Sequence, residues 1–258
     1  MIPYKDFDKN YSLEGKNAII TGGANGIGYA ISGLFAEKGA NVFLFDVARN
    51  GNESAVAIHE RTGRIAEFVM TDVSNKEGIQ QSVDSVVKKV GHIDILVNNA
   101  GVCYLDDAEK LAKEAWDKTV LINQTAVFLM SQVVGNVMIQ QGYGKIVNIA
   151  SQAGVIALDK HIAYSATKGA VIAMTKVLAC EWAEYGINVN AISPTIVLTE
   201  LGKKAWAGEI GEDMKKQIPN GRFAMPDEVA SLAVFLASDG SQMINGANIM
   251  IDGAYSIK

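Results

Sequence analysis

Tyr164 and Lys168 stand four residues apart in the run Tyr-Ser-Ala-Thr-Lys, a spacing that puts both side chains on one face of a helix. A free phenol ionises near pH ~10, too high for an efficient base in neutral water. A neighbouring ammonium favours the phenolate, as does any further positive charge in the same pocket. Such a pair can take the proton of an alcohol while the carbinol carbon gives up a hydride. Ser151 ends the apolar run Lys145-Ile-Val-Asn-Ile-Ala-Ser, and its hydroxyl can hold the substrate oxygen in line. Gln152 follows directly, with an amide that both donates and accepts, as a second substrate hydroxyl requires.

A hydride needs an acceptor. Thr21-Gly-Gly-Ala-Asn-Gly-Ile-Gly28 follows an apolar run and opens an amphipathic one. Gly22, Gly26 and Gly28 lack a Cβ, so backbone amides can approach a pyrophosphate, and the following helix adds its partial positive charge. Asn25 and Ile27 fall within the same turn. A glycine cluster alone is weak evidence; the strand–turn–helix context is what a dinucleotide requires. Asp46 ends the next apolar run, where a carboxylate accepts both ribose hydroxyls of an adenosine and repels a 2′-phosphate. Asn25 is neutral, and although Arg49 lies close by, the expected cofactor is NAD rather than NADP.

These residues need a scaffold, and the rest of the chain spells one. Asn17–Thr21, Ala40–Asp46, Ile65–Met70, Ile93–Asn98, Lys145–Ser151, Ile187–Ser193 and Asn248–Asp252 read as seven strands. Several are apolar almost throughout, as parallel strands covered on both faces are. Between them run amphipathic helical segments, Ile27–Lys38, Glu53–Arg61, Lys76–Val90, Glu114–Gln141, Ile162–Tyr185 and Pro226–Ser238. Pro226 with Asp227 and Glu228 makes a good helix start. The alternation predicts one α/β domain over 1–258, a doubly wound sheet of seven parallel strands flanked by helices, with ligands beyond the carboxyl strand ends. Residues 1–14 form an N-terminal arm. The long connection 194–225, with Trp206 and several glycines, is expected to be a substrate lid.

Of 258 residues, 49% are hydrophobic and 20% charged, so a core can form, and the net charge is -5. No basic block offers itself to nucleic acid or an anionic membrane. No secretory leader or apolar run of membrane length is evident, so a cytoplasmic location is expected. Cys103 and Cys180 lie far apart and read as structural thiols. His59 and His92 read as surface residues. His161, three before Tyr164, could reach the pocket rim, but a solvated loop is the expectation. No histidine pair has metal-ligand spacing, and no metal is expected.

The glycine spacing, Gly22-x-x-x-Gly26-x-Gly28, resembles the TGxxxGxG motif of the short-chain dehydrogenase/reductase family, and the resemblance runs along essentially the whole chain. Asp72-Val73 matches the family's adenine-contacting pair. Asn98-Asn-Ala-Gly matches its NNAG motif, which places Asn99, Ala100 and Gly101 along the cofactor channel. Ser151, Tyr164 and Lys168 match its catalytic serine, tyrosine and lysine. Asn123 matches the fourth catalytic residue, whose role there is to anchor a water that relays protons from the lysine. Pro194-Thr-Ile-Val-Leu-Thr199 resembles the PGxVxT segment, implying that Pro194, Val197 and Thr199 border the nicotinamide, with Thr195 in place of the usual glycine. The implied fold is Rossmann-like and the implied assembly a homotetramer with two-fold interfaces.

The tract from Ser193 through Trp206, with Ser151-Gln-Ala-Gly, resembles the family's polyol and diol dehydrogenases of the D-threitol and (R)-1,2-propanediol type. The implied substrate is a small diol or polyol, interconverted with its hydroxyketone and bounded by Ser151, Gln152, Tyr164, Thr195 and Trp206, with Cys103 on the same wall. A 3-oxoacyl carrier-protein reductase shares these motifs, but it would use NADPH and want a basic docking patch. A non-catalytic NAD-sensing scaffold would typically have lost the Tyr or the Lys.

Overall fold

The computed structural model describes residues 6–258, the side chains of Leu201, Lys204 and Ala205 excepted. Seven strands, β1 (Asn17–Thr21), β2 (Asn41–Asp46), β3 (Ala66–Met70), β4 (Ile95–Asn98), β5 (Gly144–Ile149), β6 (Ile187–Pro194) and β7 (Asn248–Ile251), form one sheet in the order β3-β2-β1-β4-β5-β6-β7. Every neighbouring pair is parallel. The central strands β1, β4 and β5 are buried at every residue, which is why their sequence lacks a polar/apolar alternation.

Alternate side chains of each strand enter two separate cores. On one face, Ile20, Leu44 and Val147 pack beneath α1 (Gly26–Glu37), α2 (Gly51–Thr62) and α9 (Pro226–Ala237). On the other, Ile19, Phe43 and Ile146 pack beneath α3 (Lys76–Val90), α5 (Ala126–Gln141) and α6 (Ile162–Trp182). The strand order reverses between β1 and β4, which opens a crevice beyond their carboxyl ends.

Several expectations need correction. The run Glu114–Gln141 is not one α-helix: α4 (Lys113–Val120) leads into a π turn, Leu121–Thr125, before α5 begins. The combined stretch Lys113–Gln141 is long and apolar enough to cross a membrane by composition, contrary to the sequence expectation. Here it supplies Met130, Val134 and Met138 to the core. β5 stops at Ile149, so Ser151 lies past the strand, where its extended backbone caps the short turn Gln152–Gly154.

The connection after β6 holds two helices that the sequence did not announce, α7 (Glu200–Ala205) and α8 (Glu209–Gln217). It is closed at its base, where the Leu198 amide donates to the Ala224 carbonyl at 2.9 Å and the Ala224 amide to that of Ile196 at 3.0 Å. Residues 1–5 of the expected arm lie outside the described residues. Its later part docks on α9, with Leu13 fully buried and the Tyr11 ring edge-on to Phe235 at 5.3 Å.

Candidate active site

The glycine turn is held open from behind. Gly22 and Gly26 have φ of +61° and +56°, the left-handed region that a side chain disfavours. A Cβ on Gly28 would overlap the Gly22 carbonyl and the Asn99 amide. Asn99 Nδ2 donates to the carbonyls of Thr21 and Gly22 at 2.9 and 3.1 Å. Thr21 Oγ1 accepts from the amides of Asn99 and Ala100 at 2.9 and 3.0 Å. The NNAG segment therefore clamps the turn in register, and Ile27 leans on the core beneath it.

Beyond the turn lies a cleft of about 1310 Å³. Asp46, Asp72 and Val73 line one end of it, Asn99, Ala100 and Gly101 the middle, and Gly22, Asn25, Gly26 and Thr199 the turn side. Asp46 Oδ2 accepts from the Ala24 amide at 3.0 Å, and Oδ1 from the amides of Val47 and Ala48 at 2.8 and 3.0 Å. The carboxylate is thus fixed beside the glycine turn with lone pairs to spare for hydroxyl donors. Two hydrogen bonds from Ser74 hold the Asp72 carboxyl below its ordinary range. Asn25 pairs with Asn50, amide to amide, at 3.0 and 3.2 Å, so the turn meets its neighbour without charge. Arg49 is exposed.

These residues fit a dinucleotide: backbone that only glycine can leave open, a helix N-terminus behind it, and an acid for a ribose. Asp46 and Asp72-Val73 would hold the adenosine, Gly22 to Gly28 the pyrophosphate, and Asn99 to Gly101 the inner wall. Bound there in its oxidised form, the nicotinamide would accept a hydride and add a positive charge beside the reacting groups.

Val102, on the cleft wall, leads to Asn123 and from there to the tyrosine-bearing helix. Asn123, fully buried in the π turn, accepts from the Val102 amide and donates to the Val102 carbonyl, both at 2.8 Å. It also reaches Thr167 Oγ1 on α6 at 3.4 Å, and Thr167 in turn donates to the Tyr164 carbonyl at 2.9 Å. The cofactor wall and the tyrosine-bearing helix are therefore joined through one amide.

Ser151 hydrogen-bonds the Tyr164 hydroxyl. The Lys168 ammonium donates to the Ile149 carbonyl at 2.7 Å and lies 5.5 Å from the centre of the Tyr164 ring. Burial pushes Tyr164 up to about 12, and the Ser151 hydrogen bond offsets only part of this. Burial also pulls Lys168 down to about 8.

Other expectations meet mixed outcomes. Gln152 is buried beside Ser151 and its Oε1 has no protein partner; Thr195 Oγ1 is likewise buried and unpartnered. Pro194 ends β6 against Ile251, and Val197 bridges to Ala224. Thr199 caps α7 by accepting from the Gly202 amide at 3.1 Å. Trp206 is tied into its own connection, stacked at a tilt on Phe223 at 5.8 Å. Both cysteines are free and exposed rather than buried structural thiols. Cys103 lies near enough to Tyr164 and Lys168 to act on both electrostatically, and desolvation pushes its thiol up. His59 and His92 are exposed, as expected. His161, half-buried at the N-cap position of α6, lies edge-on to Tyr164.

A protein-family profile described as enoyl-(acyl carrier protein) reductase, of the short-chain alcohol dehydrogenase type, matches residues 22–256. The chain is a short-chain dehydrogenase/reductase. Within this family it is 54% identical to an NAD-dependent glycerol dehydrogenase of Listeria innocua over 99% of both chains. It is 50% identical to a D-threitol dehydrogenase of Mycolicibacterium smegmatis, over 98% of this chain and 96% of the other. A solved gluconate 5-dehydrogenase from Burkholderia cenocepacia, in complex with NADP and tartrate, is 33% identical. It superposes with a TM-score of 0.92, covering 96% of this chain and 98% of that one. The matched span takes in the sheet from β2 onward, the glycine turn and Ser151, Tyr164 and Lys168.

Proposed function

We propose that this short-chain dehydrogenase is an NAD-dependent oxidoreductase that interconverts a secondary alcohol of a small diol or polyol with the hydroxyketone. The observation that carries the reaction type is the Ser151–Tyr164 hydrogen bond set beside Lys168, on a helix that Asn123 ties to Val102 of the cleft wall. In the oxidative direction Tyr164, as phenolate, would take the hydroxyl proton, and a nicotinamide held along Asn99 to Gly101 would supply the hydride acceptor. Ser151 holds the oxygen, Lys168 supplies positive charge below the ring, and Asn123 keeps the Val102 backbone and α6 in register. Asp46 favours NAD, because a 2′-phosphate there would meet a carboxylate already fixed in place.

The substrate class follows from the two relatives and from two orphaned polar atoms. Gln152 follows Ser151 and Thr195 follows the end of β6, and leaving Gln152 Oε1 and Thr195 Oγ1 buried without partners is costly unless a ligand hydroxyl engages their side chains. The connection 194–225, with α7 and α8 pinned at its base, is read as the lid over that substrate. The same reading makes the enzyme a cytoplasmic homotetramer. Exposed apolar side chains on α5 and α6, Phe128 and Val177, and Met243 near β7, exposed to 95%, are the surfaces that two-fold partners would cover.

The test is absorbance at 340 nm with NAD and a panel of C3–C6 diols and polyols, alongside a 3-oxoacyl thioester with NADPH. Turnover of polyols is the expected result. Reduction of the thioester alone would favour a carrier-protein reductase, and no turnover at all a scaffold. Light scattering showing a monomer at micromolar concentration would reject the tetramer.

A further inference from the structure

Among the described residues only three other than glycine have positive φ, and Lys160, at +65°, is one of them. A lysine takes up that conformation only where its surroundings impose it, and such outliers gather at functional sites. Here two contacts impose it. The Asp106 amide, from the loop that carries Cys103, donates to the Lys160 carbonyl at 3.2 Å. One residue on, His161 Nδ1 hydrogen-bonds the Asp159 carbonyl at 2.6 Å. The strained turn delivers His161 to the N-cap of α6, three residues before Tyr164, with the imidazole edge-on to the phenol ring at 6.1 Å and 71°.

The contact to Asp159 also sets the tautomer. A carbonyl only accepts, so Nδ1 carries the hydrogen, and in the neutral imidazole Nε2 is left with a lone pair. Among the described residues Nε2 has no protein partner. The result is a fixed hydrogen-bond acceptor beside the residue that takes the alcohol proton. Such an acceptor serves a substrate with a second hydroxyl and is useless to a simple secondary alcohol.

We infer that His161 is a substrate-recognition residue of the active-site mouth, its Nε2 accepting a hydrogen bond from a polyol hydroxyl other than the one oxidised. The inference rests on the polyol reading above. Its test compares kcat and KM on threitol or glycerol, and on 2-butanol, for the wild type, His161→Phe, His161→Asn and His161→Gln. His161→Phe is expected to raise the polyol KM about tenfold, as loss of one hydrogen bond does, with kcat, the KM for NAD and turnover of 2-butanol unchanged. Gln, whose amide can reach the Nε2 position, should recover most of the loss. Asn, which keeps the bond to Asp159 but falls short of Nε2, should not, and it carries the test if the Phe variant does not fold. A fall in kcat shared by 2-butanol and the polyol would mean that the imidazole merely buttresses Tyr164, and would overturn the inference. An unchanged polyol KM would overturn it while leaving the polyol reading intact, whereas a wild type active on 2-butanol and on no polyol would remove both.

Discussion

Lys168 lies 5.5 Å from the centre of the Tyr164 ring yet gives its hydrogen bond to the Ile149 carbonyl, not to the phenol. The ammonium is therefore held under the ring by the end of β5, in a pocket that resists its charge. Folding pulls Lys168 from 10.5 down to about 8. Between those values the unfolded chain binds the proton more tightly, so stability rises with pH across that window and is lost as pH falls through 8. A shift of this size corresponds to roughly 3 kcal/mol. Lys168→Met should accordingly raise the Tm at pH 7 while abolishing turnover, and its advantage over the wild type should shrink by pH 10. Thermal unfolding at the two pH values measures this; a destabilised Met variant at pH 7 would refute it.

Tyr164→Phe should fold and bind NADH with unchanged affinity, because the ring remains, but lose at least ~10²-fold in kcat with its proton acceptor gone. Burial raises the phenol to about 12 in the protein alone, and a bound nicotinamide cation opposes that rise. The oxidation rate of the wild type must therefore climb with pH, since the phenolate is the active form. NADH fluorescence titration and a pH–rate profile check both statements; a profile falling with pH would contradict the base assignment.

Asp46→Asn should lower kcat/KM for NAD about tenfold or more and narrow the preference over NADP. The amide can still accept from Ala24, Val47 or Ala48, but its NH₂ cannot replace the second acceptor that these three amides use. Kinetics with both cofactors decide the matter, and a wild type that prefers NADP would overturn the reading of this residue.

Gly28→Ala should cost ~1–3 kcal/mol and most cofactor affinity, since the new methyl would displace the Gly22 carbonyl and the Asn99 amide. Gly63→Ala is the useful contrast. Nothing lies near its Cβ position, so only its positive φ is strained, and its cofactor affinity should be unchanged. Denaturant melts and NADH binding on the two variants separate backbone strain from loss of the cradle.

What the sequence made legible was whatever is written locally. Parallel strands buried on both faces leave unbroken apolar runs, and Tyr164 and Lys168 share a helix face by spacing alone. What it hid depends on distant partners. Asn123 was assigned through a family motif, but its bonds to Val102 and Thr167 arise only when three elements meet. Helices α7 and α8 are short and polar, and carry no strong period of their own. Nothing near Trp206 in sequence announces Phe223 as its packing partner. Lysine carries no mark of positive φ, so the turn that aims His161 could not be foreseen.

The π turn at Leu121–Thr125 makes this enzyme unusually sensitive to length rather than to chemistry. A π turn accommodates an extra residue relative to the α-helical path. Loss of any one codon between 121 and 125 would remove that extra residue and let α4 and α5 join as one regular helix with their phases kept. Met130 and Val134 would stay in the core, while the bulge that brings Asn123 to Val102 would be gone. The regular helix would be the better formed of the two, so natural relatives that keep this chemistry should vary freely in residue type here and hardly at all in residue number.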